Sequence, residues 1–149
     1  MVTVGSVSAP AAEAGTFPVA LVNNTGGAWR DDQIHVTILG QASPGVWSWV
    51  DASGAVRPLD HTAADAPGHL TKDGVNYPDM SFTLAEAAGL TVPTELLSAR
   101  MYISVGQPVY IGISPDDRGW ASPDPANPTD PNYSTVYDWY EMSLSLIHI

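Results

Sequence analysis

A carboxyl group surrounded by aromatic side chains lies near the end of this chain of 149 residues. Alternating side chains predict a strand over residues 135–142, and its period of two puts Tyr137, Trp139 and Glu141 on one face. An aromatic, partly desolvated surface favours the protonated form of a carboxyl group, which is what a general acid needs. In the alternative interpretation, the rings belong to the core and Glu141 is only a charge on an edge strand. The remaining glutamates lie in less suitable segments: Glu13, Glu86 and Glu95.

Trp120 lies in a loop rich in proline and aspartate that precedes this strand. An exposed indole suits the apolar face of a pyranose ring, so Trp120 is a candidate sugar-stacking residue. A tryptophan that merely pins the loop to the domain would have the same sequence context. The residues alone leave both interpretations open.

Two groups of acidic and histidine side chains need testing as metal ligands. The spacing of the first group matches no compact zinc motif. The second group is interrupted by prolines and lacks the spacing of a calcium loop. Solvated loop residues are the better interpretation of both, so the sequence predicts no metal and no cofactor. The members of the first group are Asp60, His61, Asp65, His69 and Asp73, and those of the second are Asp116, Asp117, Asp124 and Asp130.

The charge balance restricts the class of partner. With 16 acidic and five basic residues, the formal net charge is −11, and such a surface repels phosphate backbones and anionic lipids. We therefore predict neither a nucleic-acid nor a membrane partner, whereas a neutral polysaccharide would not be repelled. The chain has no cysteine and no apolar run near the roughly 20 residues of a membrane span. Its first residues lack the features of a signal peptide, so if the protein is exported, its signal is expected upstream.

Short strands are the elements that must position these residues. The 13 prolines and 13 glycines interrupt the sequence every few residues, as turns between strands would. The pattern predicts an all-β sandwich or barrel with long loops rich in proline and aspartate. Residues 1–16 are small or polar and are predicted to be a linker or a disordered N-terminus. Strands are predicted at 17–23, 33–39, 46–50, 55–59, 80–84 and 100–105, with 109–113 forming a hairpin with 100–105.

Three stretches in a fixed order carry a family resemblance. They are FPVALVNNTG at 17–26, IHVTILG at 34–40, and RMYISVGQPVYI at 100–111, the last followed by an acidic loop and YDWYE at 137–141. In this order and spacing they resemble glycoside hydrolase family 64, whose members cleave β-1,3-glucan and share a barrel with thaumatin-like proteins. The resemblance implies a thaumatin-like barrel of roughly ten strands over residues 17–143.

The resemblance also implies roles for individual residues. Glu141 matches the catalytic glutamate of the family's Asp-Trp-x-Glu segment, and Trp120, Tyr137 and Trp139 are expected to bind the glucan. The family's catalytic aspartate follows in a second, mixed α/β domain, which is expected to pack on the last strand. The family inverts the configuration at the cleaved bond, which requires two carboxyl groups roughly 6.5–9.5 Å apart.

The resemblance finally sets expectations for the chain as a whole. It implies that the chain is the N-terminal barrel half of a secreted β-1,3-glucanase and is inactive by itself. Residues 144–149 are expected to be a non-native tail, because the family continues with a polar segment rich in asparagine and glycine. Two alternatives remain: a non-catalytic thaumatin-like module that binds β-glucan, and a structural β-sandwich with no role in binding glycans.

Overall fold

The computed structural model describes residues 2–6 and 15–142, which form antiparallel sheets and short 3₁₀ helices. The prediction of an all-β fold is confirmed. The described part of the chain has no helix that is long and apolar enough to cross a membrane. The strands are β1 Val2–Ser6, β2 Thr16–Asn23, β3 Ile34–Ser43, β4 Val46–Val50, β5 Val56–Pro58, β6 Leu70–Lys72, β7 Val75–Tyr77, β8 Ser81–Thr83, β9 Thr91–Pro93, β10 Leu97–Val105 and β11 Val136–Met142. The 3₁₀ helices are Asp31–Gln33, His61–Asp65 and Leu84–Glu86.

The largest sheet has the strand order β11-β10-β3-β4-β5 and is built around β3. One edge of β3 pairs with β10, and the other pairs first with β8 and then with β4. A smaller sheet has the order β1-β2-β9, and β6 and β7 form a separate hairpin. Every pairing is antiparallel, so local turns and loops can make the connections.

One face of the large sheet, which we call the aliphatic face, forms the main core. Alternation along β3 buries Ile34, Val36 and Ile38 on this face, and the smaller sheet packs against it through residues of all its strands. Gly40 continues the same face, and a Cβ there would lie 2.5 Å from the Leu96 side chain. Because Leu96 is itself buried, this position has room only for glycine.

The opposite face, which we call the aromatic face, is covered by loops instead of a sheet. It has fewer buried residues than the aliphatic face, and tryptophans and a tyrosine pack around them at the margins. Much of the cover comes from the connection 106–135 between β10 and β11. The buried members are Leu39, Leu59, Met80, Tyr102, Val109 and Ile111, and the partly buried members are Trp47, Trp49, Ile113, Trp120 and Tyr137.

The N-terminal strand β1 corrects one prediction. Val2–Ser6 pairs with β2 from Val2 opposite Asn23 to Ser6 opposite Val19, and Val2 is buried in the main core. The predicted linker over residues 1–16 is therefore wrong for this stretch. The physical reason is that Val2 and Val4 give one face of a short strand enough apolar surface to bury. Residues 7–14 and the predicted tail at 144–149 lie outside the described residues.

The predicted hairpin of 100–105 with 109–113 is also wrong. Strand β10 pairs with β3 and β11, which occupy both of its edges. The Asn132 side chain satisfies the backbone at Tyr110, accepting from its N–H at 2.5 Å and donating to its carbonyl at 2.7 Å. A buried asparagine thus takes the place of a neighbouring strand, and the segment stays a loop.

Candidate functional site

A cleft of about 300 Å³ opens on the aromatic face where β10 begins and β11 ends. Its position follows from the register of the two strands, in which Arg100 is paired with Glu141 and Tyr102 with Trp139. Paired residues of antiparallel strands project to the same side, so the Glu141 carboxylate and the Arg100 guanidinium meet there. The lining residues are Trp47, Ser98, Ala99, Arg100, Trp120 and Glu141.

Glu141 is the most accessible charged group of the cleft. Its side chain is 73% exposed, and its Oε1 accepts a hydrogen bond from Nη2 of Arg100 at 3.3 Å. No other hydrogen bond to this carboxylate is found within the described residues, so Oε2 is available to a ligand. Glu141 is also the only carboxylate among the described residues that line the cleft.

Arg100 is held more firmly than its partner. Its Nη1 donates to the Tyr102 hydroxyl at 3.0 Å and to Oγ of Ser122 at 3.2 Å, and its guanidinium lies 5.9 Å from the ring centroid of Trp120. The hydrogen bond to Tyr102 raises the pKa of Arg100, and the charge of Glu141 raises it further against the opposing effect of burial. The cleft therefore carries a fixed positive charge at every working pH.

Trp120 forms one wall of the cleft and also packs on the aromatic face. Its ring meets Trp47 edge-on at a centroid distance of 5.4 Å and Tyr102 at 6.2 Å. An isolated bridge to Ile113 fixes its backbone. The sugar-stacking and loop-pinning interpretations are therefore compatible, because the indole anchors the loop and still borders the cleft.

The other two predicted sugar-binding residues lie farther along β11. Trp139 is 41% exposed, whereas Tyr137 is partly buried among aromatic rings, at 6.2 Å from both Tyr102 and Trp139. Burial raises the pKa of Tyr137, and its hydroxyl has no hydrogen-bond partner within the described residues. The structure thus brings Glu141 and Trp120 together at the cleft and leaves Tyr137 and Trp139 beside it on the same face. The roles of all four residues stay predictions.

Sequence reasoning missed three residues of the site: Arg100, Ser122 and Trp47. The strand motif at 100–111 begins with Arg100, and an arginine on an amphipathic strand suggests a charge pair without identifying the partner. Trp47 alternates with Trp49 along β4, and that pattern placed it on one face of the sheet but not beside Glu141. Ser122 carries no recognisable pattern.

The structure also brings together three residues from the two groups considered as metal ligands. Ligand atoms of Asp60, His61 and Asp117 lie within 4.8 Å of one another, and all three residues are exposed. Oδ1 of Asp117 already accepts from the His61 backbone N–H at 2.7 Å and contacts His61 Nδ1 at 2.8 Å. These bonds lower the pKa of Asp117, and the Asp60 side chain caps the 3₁₀ helix that follows. Loop stabilisation accounts for the cluster, and the absence of a metal stays a prediction.

Comparison with known proteins identifies the family to which this all-β domain belongs. Residues 15–148 match the family model of glycoside hydrolase family 64, described as beta-1,3-glucanase. The chain belongs to this family, and the family resemblance predicted from the sequence is confirmed.

Individual relatives agree with the family assignment. The chain is 31% identical over 140 residues to a glucan endo-1,3-beta-glucosidase of Cellulosimicrobium cellulans, covering 93% of this chain and 23% of the relative. A laminaripentaose-producing β-1,3-glucanase of Paenibacillus barengoltzii, solved in complex with laminarihexaose, matches with a TM-score of 0.75 and 39% identity, covering 81% of this chain and 29% of the other. A β-1,3-glucanase domain of Clostridium beijerinckii matches with a TM-score of 0.74 and 36% identity, covering 83% and 35%. The chain thus spans about a quarter of the curated relative and about a third of these solved structures.

Proposed function

We propose that this chain is the N-terminal barrel domain of a secreted, inverting β-1,3-glucan hydrolase with Glu141 as its general acid. The observation that carries the proposal is the position of Glu141, whose carboxylate borders a cleft walled by Trp120 and Trp47. Laminarin-type glucans are the proposed substrate, since a related structure is a complex with laminarihexaose. Secretion belongs to the proposal because a polysaccharide does not cross a membrane unaided.

Hydrolysis by inversion divides the work between two carboxyl groups. In the proposed reaction, Glu141 gives its proton to the glycosidic oxygen while the bond from that oxygen to C1 breaks. Water attacks C1 from the opposite face and gives its proton to a second carboxylate, roughly 6.5–9.5 Å from the first. Among the described lining residues Glu141 is the only carboxylate, so we propose that the second comes from the domain that follows. The isolated chain is then expected to be inactive.

The outer edge of β11 supports the proposed position of that following domain. Within the described residues β11 pairs only with β10, and Val136 is 70% exposed. Tyr140 and Trp139 are exposed as well, so the strand offers both unpaired backbone groups and apolar side chains. Such an edge is usually covered in a complete protein. We propose that the α/β domain packs there.

The decisive experiment compares the longer gene product that contains this chain with its Glu141→Gln variant on linear β-1,3-glucan. General acid catalysis typically contributes about 10²–10⁴-fold, so kcat should fall by that factor while binding persists. Glu95→Gln is the matched control, because Glu95 is exposed and does not line the cleft. Proton NMR of the first product should show inverted anomeric configuration. Full activity of Glu141→Gln would exclude the assigned role.

The described lining residues of the cleft include one carboxylate, and this observation also favours a second candidate, a non-catalytic module that binds β-glucan. In that case the longer gene product would bind to insoluble β-1,3-glucan but release no reducing sugar from it. Loss of glucan retention in Trp120→Ala, without hydrolysis by the unaltered protein, would favour this candidate over the enzyme. If the protein neither bound nor hydrolysed β-1,3-glucan, only the structural β-sandwich would remain as an interpretation.

A further inference from the structure

Arg100 is tied to several elements at the same time. It belongs to β10, its Nη2 reaches Glu141 on β11, and its Nη1 reaches Ser122 in the connection 106–135. A third bond joins it to Tyr102, which is almost fully buried. The guanidinium is therefore oriented by groups of the scaffold before any ligand arrives.

The contact of Arg100 with Glu141 is poorly suited to stabilising the fold. The arginine side chain is 30% exposed and the glutamate side chain 73% exposed, and exposed pairs typically contribute about 0–1 kcal/mol. The effect on geometry is larger. An exposed glutamate samples several rotamers, and a fixed donor at 3.3 Å from Oε1 favours the one that faces the cleft.

The single contact also distinguishes the two carboxylate oxygens. Arg100 bonds Oε1, and within the described residues no group bonds Oε2. A proton on Oε2 would then be free to move to a bound substrate while Oε1 stays held. After the transfer, the guanidinium faces a full negative charge, which it stabilises because it carries the opposite charge at short range.

We propose that Arg100 is a positioning residue for hydrolysis: it holds Oε1 of Glu141 so that Oε2 presents the proton to the glycosidic oxygen. This inference rests on the proposed function of Glu141. Tyr102 and Ser122 act indirectly, since they orient Arg100 through its hydrogen bonds to them. In the transfer, the O–H bond at Oε2 breaks, the leaving oxygen gains the proton and the electron pair of its bond to C1, and Glu141 becomes a carboxylate.

The test measures kcat and KM of the longer gene product on linear β-1,3-glucan. In Arg100→Met, kcat should fall by about 10–100-fold, the typical effect of misplacing a catalytic group, while KM stays within about twofold. Arg100→Lys should recover part of the loss, because an ammonium supplies the charge but not the planar set of donors. Ser122→Ala, which removes one bond to Arg100, should lower kcat by a smaller factor.

Arg30→Met is the matched control, because Arg30 pairs with Asp32 on an exposed surface and does not line the cleft. Its kcat should equal that of the unaltered protein. Thermal unfolding of each variant separates misfolding from a catalytic effect. If Arg100→Met does not fold, Arg100→Lys and Ser122→Ala carry the test, and an unchanged kcat in both would overturn the proposal.

A double variant distinguishes positioning from direct substrate binding. If Arg100 acts through Glu141, adding Arg100→Met to Glu141→Gln should lower the residual activity no further. Multiplicative losses, or a rise in KM instead of a fall in kcat, would show that Arg100 contacts the glucan and would overturn the proposal. Full activity of Glu141→Gln would defeat the proposed function itself. An inactive Glu141→Gln together with an unchanged Arg100→Met would defeat only this inference.

Discussion

The two faces of the large sheet are built from different side chains and have different covers. The aliphatic face is sealed by a second sheet, and most of its residues are branched apolar side chains that are almost fully buried. The aromatic face is covered by loops, and its margin stays open at the cleft that Glu141 borders. One sheet thus separates two tasks, since a sealed face can be packed densely and an open face can admit a ligand.

The kind of cover explains the kind of side chain. A sheet presents a regular surface, against which Ile, Val and Leu interdigitate without voids. A loop presents an irregular surface, and large flat rings such as Trp47, Trp120 and Tyr102 fill it through edge contacts. Aromatic rings tolerate partial exposure, so the same residues that close the core can border a binding site.

The largest expected effect is a loss of stability caused by a substitution on the aliphatic face. Ile38→Ala should lower the free energy of unfolding by about 3–4 kcal/mol, because Ile38 is fully buried and a cavity would remain. Urea unfolding measures the change. Val46→Ala is the control, since half of Val46 is exposed, and it should cost less than about 1 kcal/mol. Equal losses of unfolding free energy in both variants would contradict the expected difference between a fully buried and a half-exposed position.

The second prediction weakens the aromatic face. Trp120→Ala should reduce the affinity for laminarihexaose by about tenfold, equivalent to about 1.4 kcal/mol, while destabilising the fold less than Ile38→Ala. Titration calorimetry and urea unfolding give the two values. Trp29→Ala is the control, because Trp29 is exposed and does not line the cleft. If Trp120→Ala lost stability but no affinity, the indole would serve the loop alone.

The smallest expected effect lies at Asp51, in the turn between β4 and β5, whose side chain belongs to neither core. Hydrogen bonds from Ser53, together with those from Arg57 and Ala55, lower the pKa of Asp51 to about 2. The stabilisation is complete above the unfolded pKa near 4 and is lost as the pH falls through about 2. Asp51→Asn should therefore cost about 1 kcal/mol at pH 6 and little at pH 2. A loss independent of pH, measured by urea unfolding, would show that the charge is irrelevant.

Much of the fold could be predicted from local patterns. The alternating sequence from Ile34 to Ile38 lies within β3, and β4 occupies the predicted range. The predictions failed where distant residues decide the structure. Strand β1 is short and depends on pairing with β2, and the segment 109–113 is kept out of the sheet by Asn132. In both cases the deciding partner lies far away in the sequence, so the local pattern does not reveal it.

The site shows the same limit. Period two along β11 correctly predicted that Glu141, Trp139 and Tyr137 share a face. The contact of Glu141 with Arg100 could not be predicted, because it requires the register of β10 against β11. Ser122 was beyond reach for the same reason, since it meets Arg100 only after the loop has folded onto the sheet.

The connection 106–135 has a consequence for folding kinetics. It joins two adjacent strands through about 30 residues, and closing a loop of that length costs about 2 kcal/mol more in chain entropy than a two-residue turn. Strand β11 should therefore dock late, after β3, β4 and β10 have formed a sheet around the aliphatic core. Substitutions in the connection would then accelerate unfolding more than they retard folding. We therefore expect the strand that holds Glu141 to join the domain after the main core has formed.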